Sequence, residues 1–455
     1  MEEIYNVMAE IICYFFENVS PEFYQHFNNR TKKSIDNIRS RISHEIPQLF
    51  SANGEGVARL EAPESVLHGI SRFFKVCKEN QKTDDLLQLL IMLDCSLEKR
   101  MQWEYESRQG GCFEEYLNSN WKKCKTGLLP RCSCRWERRH RGSQHYGRID
   151  SYFQNILIVD YRQWEGWRIM HYFLPNSLLA KAEEEEKLSV AFSPYKTEDD
   201  FVVNKYIKSE EQKFSVQYTG NPEADLEKMK KIIELAAENS VSIIIFPEML
   251  GNTVMEEAIA EYLMEPIWQE RGGPPALILL PTVWNNHTNT ACLLDGTGTV
   301  ICRQCKQYPY ILPDGYEEDI LPDRIVYLIH GEGIGRIVIM ICRDFLTVDY
   351  LSRVLTGLKT TLILVPSYST GDHDFEQILG KLLSEDCCAI WTNACSVVKK
   401  QTDERKVGMV LQAGKARIEI GERYKGFICP GDCEGSECAK TILKVCELYY
   451  DRDVS

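Results

Sequence analysis

The sequence predicts an α/β C-terminal part preceded by a mainly α-helical N-terminal part, and three observations carry that division. Apolar runs of strand length recur in the second half of the chain, several ending at a residue with reactive chemistry. Apolar residues spaced by three and four dominate the first hundred residues instead. Between them lies Glu183-Glu184-Glu185-Glu186-Lys187, a charge run typical of a helix end or linker. The expected domains are therefore residues 1–185, a helical module of unknown role, and residues 188–455, an α/β domain.

In the N-terminal part Ile4, Met8, Ile11, Ile12 and Phe15 repeat at helical spacing. Val66, Ile70, Phe73, Phe74 and Val76 form a second helical pattern, and Leu86 to Leu97 a third. One stretch, residues 121–148, departs from the acidic average. Lys122, Lys123, Lys125, Arg131, Arg135, Arg138, Arg139, Arg141 and Arg148 cluster there with Trp121, Trp136, His140, His145 and Tyr146. Such a mixture can track a phosphate backbone and stack bases, or it can dock on acidic protein surface.

In the C-terminal part the first strand is expected at Leu188 to Phe192. Val241-Ser242-Ile243-Ile244-Ile245-Phe246-Pro247-Glu248 reads as a strand ending in a carboxylate, and Ile301-Cys302-Arg303-Gln304-Cys305-Lys306 as a strand ending in a cation. Arg336-Ile337-Val338-Ile339-Met340 reads as a buried strand that delivers Ile341-Cys342-Arg343-Asp344-Phe345. Three strand ends thus supply a base, a cation and a thiol.

That order resembles the nitrilase superfamily, the carbon-nitrogen hydrolases, whose members carry Phe-Pro-Glu, then a strand leading to Lys, then Ile-Cys-x-Asp. The resemblance extends over roughly residues 188 to 450. Ala224, Leu226, Met229, Ile232, Ile233 and Ala236, within Asn221 to Leu250, look like the family's first helix before its Phe-Pro-Glu strand. Residues 276–300 look like its central hairpin, with a turn at Asp295-Gly296. Thr361 to Ser367 and Ile390-Trp391-Thr392-Asn393-Ala394 look like two later strands.

The resemblance implies a four-layer α-β-β-α sandwich and a cofactor-free hydrolysis of a carbon-nitrogen bond, in an amide or alternatively a nitrile. A free thiol has a pKa of about 8.5, so Cys342 as nucleophile needs a base, which Glu248 would supply. Lys306 would stay cationic and stabilise the developing oxyanion together with the backbone N–H of Arg343. A further family carboxylate falls on Glu317 or Glu318, and the sequence does not choose between them. Tyr368, Trp284 and Asn393 are candidate pocket residues. The family's habit of pairing subunits implies a homo-oligomer. The alternative is a catalytically inactive nitrilase-like domain that binds a small molecule and is coupled to the helical module.

Composition narrows the setting. The 455 residues are 44% hydrophobic and 26% charged, as in a globular protein, and the net charge of -14 speaks against a surface built wholly for nucleic acid. Met1-Glu2-Glu3 is acidic where a signal peptide is basic, and no apolar run suits a membrane helix. With 18 cysteines read as reduced thiols, a cytoplasmic location without a membrane partner is expected. Cys112, Cys124, Cys132 and Cys134, and separately Cys429, Cys433 and Cys438, lack the paired knuckles of a zinc ribbon. Cys302 and Cys305 have the right spacing but lie along one expected strand, so no structural metal is expected.

The basic stretch yields a prediction. Replacing Arg135, Arg138, Arg139 and Arg141 by Glu is expected to change the oligomer mass measured by light scattering, because an acidic chain offers the nearest counter-charge. Single-stranded nucleic-acid binding by the parent that falls steeply with salt and vanishes in the variant would point to a phosphate backbone instead.

Overall fold

A computed structural model of the protein describes residues 1–47, 64–137, 147–180, 184, 187–194, 201–395, 406–413, 424–428 and 444–449. The chain divides into two compact units. The first comprises the described residues of Met1–Gln109, Phe113–Cys132 and Arg139–Glu165, and the second those of Gly110–Cys112, Ser133–Arg138 and Gly166–Ser455.

The first unit is mainly helical. Its helices include Glu2–Asn18, Lys32–Glu45, Glu64–Glu79 and Thr83–Ser96, and Thr126–Pro130 pairs antiparallel with Ile156–Asp160. The predicted faces are the buried ones: Ile4, Met8, Ile11, Ile12 and Phe15 share one core with Val66, Ile70, Phe73 and Leu86. Val76 corrects the pattern, being exposed on the outer face. Asp94, buried at the end of its helix, accepts the backbone N–H groups of Gln154, Asn155 and Ile156, and so ties the hairpin to the helices.

The second unit holds two mixed sheets. One is ordered Arg168–Phe173, Ile325–Gly331, Gly335–Ile339, Leu362–Ser367, Cys388–Asn393, Lys406–Leu411, Tyr424–Ile428. The other is ordered Val283–Asn285, Thr288–Asp295, Leu277–Leu279, Ile243–Ile245, Lys187–Phe192, Lys444–Tyr449, with Val300–Cys305 paired to Thr288–Asp295. The sheets meet face to face, since a Cβ on Gly408 would lie 2.1 Å from the Phe192 ring. The Phe192 and Phe427 rings are 5.1 Å apart across the same gap.

Local sequence explains the elements that reach the site. Pro222–Glu238 starts where the Asn221 side chain accepts the N–H of Glu223 and Ala224, with Pro at the first turn. Met229, Ile232, Ile233 and Ala236 face inward as expected, while Ala224 is exposed and Asp225 is buried, hydrogen-bonded to Tyr218. The expected hairpin forms, and Asp295 accepts the N–H of Thr297 and Thr299 to close its turn. The turn needs glycine at Gly298, at φ +82° and against the Ala260 carbonyl, and at Gly296, where a Cβ would lie 2.8 Å from Pro275 O.

Three features depart from the sequence reading. The boundary does not fall at 185–188, because Arg168–Phe173 already pairs in parallel with Ile325–Gly331 in the second unit. Residues Ser133–Glu137 also belong there: the Trp136 indole donates to Thr361 O at 3.1 Å, and Glu137 pairs with the fully buried Arg336 at 2.8 Å. A β-ribbon, Phe201–Lys208 with Glu211–Tyr218, precedes the helix Pro222–Glu238.

The basic stretch is therefore divided. Trp136 is a core residue and not a stacking platform, and Arg131 donates to the carbonyls of Asp150 and Phe153. Trp121 packs on Tyr116 and Tyr161, and Arg148 lies 3.9 Å from Asp150. Arg138, Arg139, His140, Arg141, His145 and Tyr146 lie outside the described residues, as do Cys429, Cys433 and Cys438. No helix among the described residues is long and apolar enough to cross a membrane.

The tight contact between the sheets is testable. Gly408→Ala is expected to destabilise the protein by about 1–3 kcal/mol, since the added methyl must displace the Phe192 ring in a packed core. Chemical denaturation of the variant against the parent measures it.

Candidate active site

The strand ends expected to carry chemistry do come together. Glu248 follows Ile243–Ile245, its N–H bonded to Ser367 O at 3.3 Å, and Cys342 follows Gly335–Ile339, its N–H bonded to Pro366 O at 2.9 Å. The strand Leu362–Ser367 therefore clamps both residues from one side. Lys306 follows Val300–Cys305, its N–H bonded to Asn289 O at 2.8 Å.

Lys306 sits between two carboxylates. Its Nζ donates to Glu248 Oε1 at 2.8 Å and to Glu318 Oε2 at 2.6 Å, and all three side chains are at most 1% exposed. Glu318 is the second carboxylate of this cluster. Glu317 points the other way, to Lys213. The alternation follows from the short strand Glu317–Glu318, which pairs with Lys213 and Phe214, so that successive side chains take opposite faces.

Asn289 completes the cluster and was not foreseen. Its Nδ2 donates to Glu248 Oε1 at 2.8 Å and to Glu318 Oε1 at 3.1 Å. The sequence held a signal, since Asn289 is in period-2 register with Ala291 and Leu293, both fully buried.

Cys342 occupies a strained junction. At φ 45° and ψ -99° it joins the strand to the short helix Arg343–Leu346, a conformation unfavourable for any residue with a Cβ. Met249, after Glu248, also has positive φ, at 64°. Asp344 holds the junction: buried, it accepts the N–H of Gln307 at 2.9 Å, Tyr308 at 2.8 Å and Ile341 at 3.3 Å, which ties the Lys306 strand end to the cysteine.

Charge states follow from burial and neighbours. Burial, and then the charge on Glu248, push the Cys342 thiol well above its ordinary value, although Lys306 opposes this. Burial raises Glu248 against the pull of Lys306, and Glu318 adds to the rise. Burial works against the Lys306 charge, yet the two carboxylates outweigh it and hold its pKa well up. Burial pushes Asp344 up to about 8. Burial and the Glu248 charge thus favour a neutral thiol at Cys342, and the flanking carboxylates favour a lysine that keeps its proton.

The remaining candidates divide. Tyr368 donates its backbone N–H to Glu248 Oε2 at 3.0 Å, and its ring meets Phe201 of the ribbon at 4.8 Å. Trp284 packs with Phe214, Val216, Met249, Tyr310 and Tyr316 in an apolar cluster. Asn393, buried, accepts from Ser369 N and Ala394 N and donates to Ser369 O, so its amide holds the loop after Ser367. The Arg343 side chain is exposed, and its place at the start of a short helix leaves a backbone N–H to bond outward. Cys302 is buried and Cys305 bonds Thr290, on opposite faces of their strand.

No protein-family model and no curated protein matches the chain. Among solved structures it is similar to an amidase from Nesterenkonia sp., at 14% identity over 58% of this chain and 91% of that one, with a TM-score of 0.39. It is also similar to a glutamine-dependent NAD+ synthetase from Acinetobacter baumannii, at 14% identity over 59% of this chain and 46% of that one, with a TM-score of 0.37. A Nesterenkonia AN1 amidase variant described as from the nitrilase superfamily aligns at 14% identity over 46% and 76%, with a TM-score of 0.34.

The two neighbouring glutamates give a direct test. Glu318→Gln is expected to destabilise the protein by about 3–5 kcal/mol, because a buried charge loses its partner, whereas Glu317→Gln changes stability by under about 1 kcal/mol at a partly exposed pair. Thermal unfolding of the two variants distinguishes them, and equal effects would contradict the register.

Proposed function

We propose that the second unit is a carbon-nitrogen hydrolase of the nitrilase superfamily, a four-layer α-β-β-α sandwich that cleaves an amide of a small molecule through a thioester on Cys342. One observation carries the reading: Lys306 buried between Glu248 and Glu318, with Glu248 and Cys342 both bonded to adjacent carbonyls of one strand end, Ser367 O and Pro366 O.

The site supports the following chemistry. Glu248 takes the thiol proton as sulfur attacks the carbonyl carbon. The oxygen that becomes negative is stabilised by Lys306 and by the backbone N–H of Arg343. The tetrahedral adduct expels ammonia or an amine, which takes the proton from Glu248, and leaves the acyl group on sulfur. Water, deprotonated by Glu248, then attacks the thioester, and the carboxylic acid leaves as the thiol recovers its proton. Glu318 keeps Lys306 charged throughout. Glu248 relays the thiol proton to the leaving amine and a proton of the water back to sulfur, so the cycle balances without a cofactor. A nitrile would enter the same site with an additional water. The apolar cluster around Trp284, Tyr310 and Tyr316 suits a neutral organic group beyond the reacting carbon. A homo-oligomer and a cytoplasmic setting belong to the same reading.

Ammonia release from a panel of amides and nitriles tests it. Cys342→Ala is expected to remove all release and leave thermal unfolding close to that of the parent; turnover retained in this variant would refute a thioester. Glu248→Gln and Lys306→Ala are expected to slow acylation by at least about a hundredfold each, the scale for losing a general base or an oxyanion donor. A parent that alkylates at Cys342 but hydrolyses no amide or nitrile would favour a small-molecule-binding domain.

A further inference from the structure

Four side chains close a ring around the base. Lys306 Nζ bonds Glu248 Oε1 and Glu318 Oε2, while Asn289 Nδ2 bonds Glu248 Oε1 at 2.8 Å and Glu318 Oε1 at 3.1 Å. Donors and carboxylates alternate, so both N–H bonds of the Asn289 amide end on carboxylate oxygens. The two oxygens of Glu248 become unequal in consequence. Oε1 receives an ammonium and an amide, whereas Oε2 receives the backbone N–H of Tyr368 at 3.0 Å.

Resting on the catalytic reading above, we infer that Asn289 is a positioning residue that locks the Glu248 carboxylate in one orientation and assigns Oε2 as the atom that takes the Cys342 proton. A carboxylate otherwise has two nearly equivalent orientations, because the terminal torsion of Glu is broad and roughly two-fold. Without Asn289, Lys306 on Oε1 and the Tyr368 N–H on Oε2 would leave one donor on each oxygen of Glu248, and the two would be nearly equal as proton acceptors. With Asn289 in place, Oε1 has two donors and its remaining basicity is low, so the lone pair suited to the thiol is on Oε2.

Two further observations fit a side chain kept for its donors. Asn289 is fully buried, yet its carbonyl oxygen Oδ1 has no partner among the described residues, an arrangement unfavourable for stability alone. Its backbone carbonyl accepts the Lys306 N–H at 2.8 Å, so the residue that bridges the carboxylates also anchors the strand end that carries the cation.

Besides Asn289, the groups that act on Glu248 are Lys306, Glu318, Cys342, the Tyr368 N–H and, from the loop after Lys306, Tyr310. Removing the Asn289 donors leaves these in place and withdraws two bonds from ionised carboxylates. Hydrogen bonds to the charged form favour it, so their loss raises the pKa of Glu248 and lowers the fraction of base near neutrality.

Alkylation of Cys342 by iodoacetamide, followed peptide by peptide by mass spectrometry from pH 5 to 10 with Cys342→Ser as blank, reads this without a known substrate. In Asn289→Leu, of similar shape and without donors, the acid limb of the profile is expected to move up by about one pH unit, with alkylation at pH 7 about tenfold slower. Asn289→Asp, which adds a third carboxylate, is expected to move it further. Asn289→Ser, smaller and without an amide, is a third arm, so that a folded variant is read. A parent-like profile in a folded variant, or slowing by the same factor at every pH, overturns the inference, the latter because it marks a packing role. If the parent hydrolyses no amide while the limb still moves, the catalytic reading fails and the role of Asn289 stands. Amide hydrolysis with an unmoved limb is the reverse result.

Discussion

A lysine without solvent, held between two carboxylates, is the constraint on which the second unit is organised. Removing one ion from water costs several kcal/mol even after relaxation, and three are removed here within one cluster. Such a group is poor value as a staple, because well-packed apolar side chains of the same volume would serve stability as well or better. Its surroundings read as provisions for keeping it ionised. Asn289 bridges the carboxylates, Tyr310 N donates to Glu318 Oε2 at 3.1 Å, and Tyr368 N donates to Glu248 Oε2. Every one of these donors comes from a strand end or an adjoining loop, which explains why two sheets must converge there.

The backbone shows the same priority. Cys342 has positive φ without being glycine, and the neighbour of Glu248 does too. Strain of this kind persists only where the surroundings over-determine it. Asp344 supplies that determination, accepting backbone N–H groups from both sides of the junction. On the other flank Asp319, next to Glu318, accepts from Tyr206 at 2.5 Å and Lys208 at 2.8 Å of the ribbon and lies 2.9 Å from His287 Nδ1. The ribbon, the turn before Asn289 and the Glu318 segment are thereby fixed to one buried carboxylate. Its pKa is held below the ordinary range: burial would raise it, but the bonds from Lys208 and Tyr206 and the proximity of His287 prevail.

Legibility in the sequence followed the range of the interaction. Glu248, Lys306 and Cys342 were readable because each ends an apolar run, and period and spacing are local properties. Glu318 could not be separated from Glu317, since adjacent strand residues differ only in face, and the face is set by pairing with Lys213 and Phe214 a hundred residues away. Ser133–Glu137 was assigned to the wrong domain for the same reason, because its Trp136 partner, Thr361, is 225 residues distant. The ribbon escaped notice through turn chemistry. Its tip, Ser209-Glu210, takes φ of 50° and 70° without the Asn-Gly or Asp-Gly pair that normally marks such a hairpin. Asn393 ends a strand beside the others, and its amide bonds the loop after Ser367, a partner that local sequence does not reveal.

The electrostatic balance of the cluster bears on how a high thiol pKa can coexist with nucleophilic chemistry. With both carboxylates ionised, Lys306 leaves one net negative charge. Passing the thiol proton to Glu248 does not change that total; it moves the charge from carboxylate to sulfur, and attack moves it on to the substrate oxygen. A standing thiolate would instead add a second negative charge next to Glu248 in a buried site, which is why the thiol remains protonated at rest. In the proposed reaction the thiol therefore reacts with an electrophile that carries the charge onward toward Lys306. Cys387 and Cys388 are as deeply buried and, among the described residues, bond to no carboxylate-lysine pair like that of Glu248 and Lys306; burial raises their thiols, which disfavours the nucleophilic thiolate. On the proposed reading, what separates Cys342 from a structural thiol is where its proton can go.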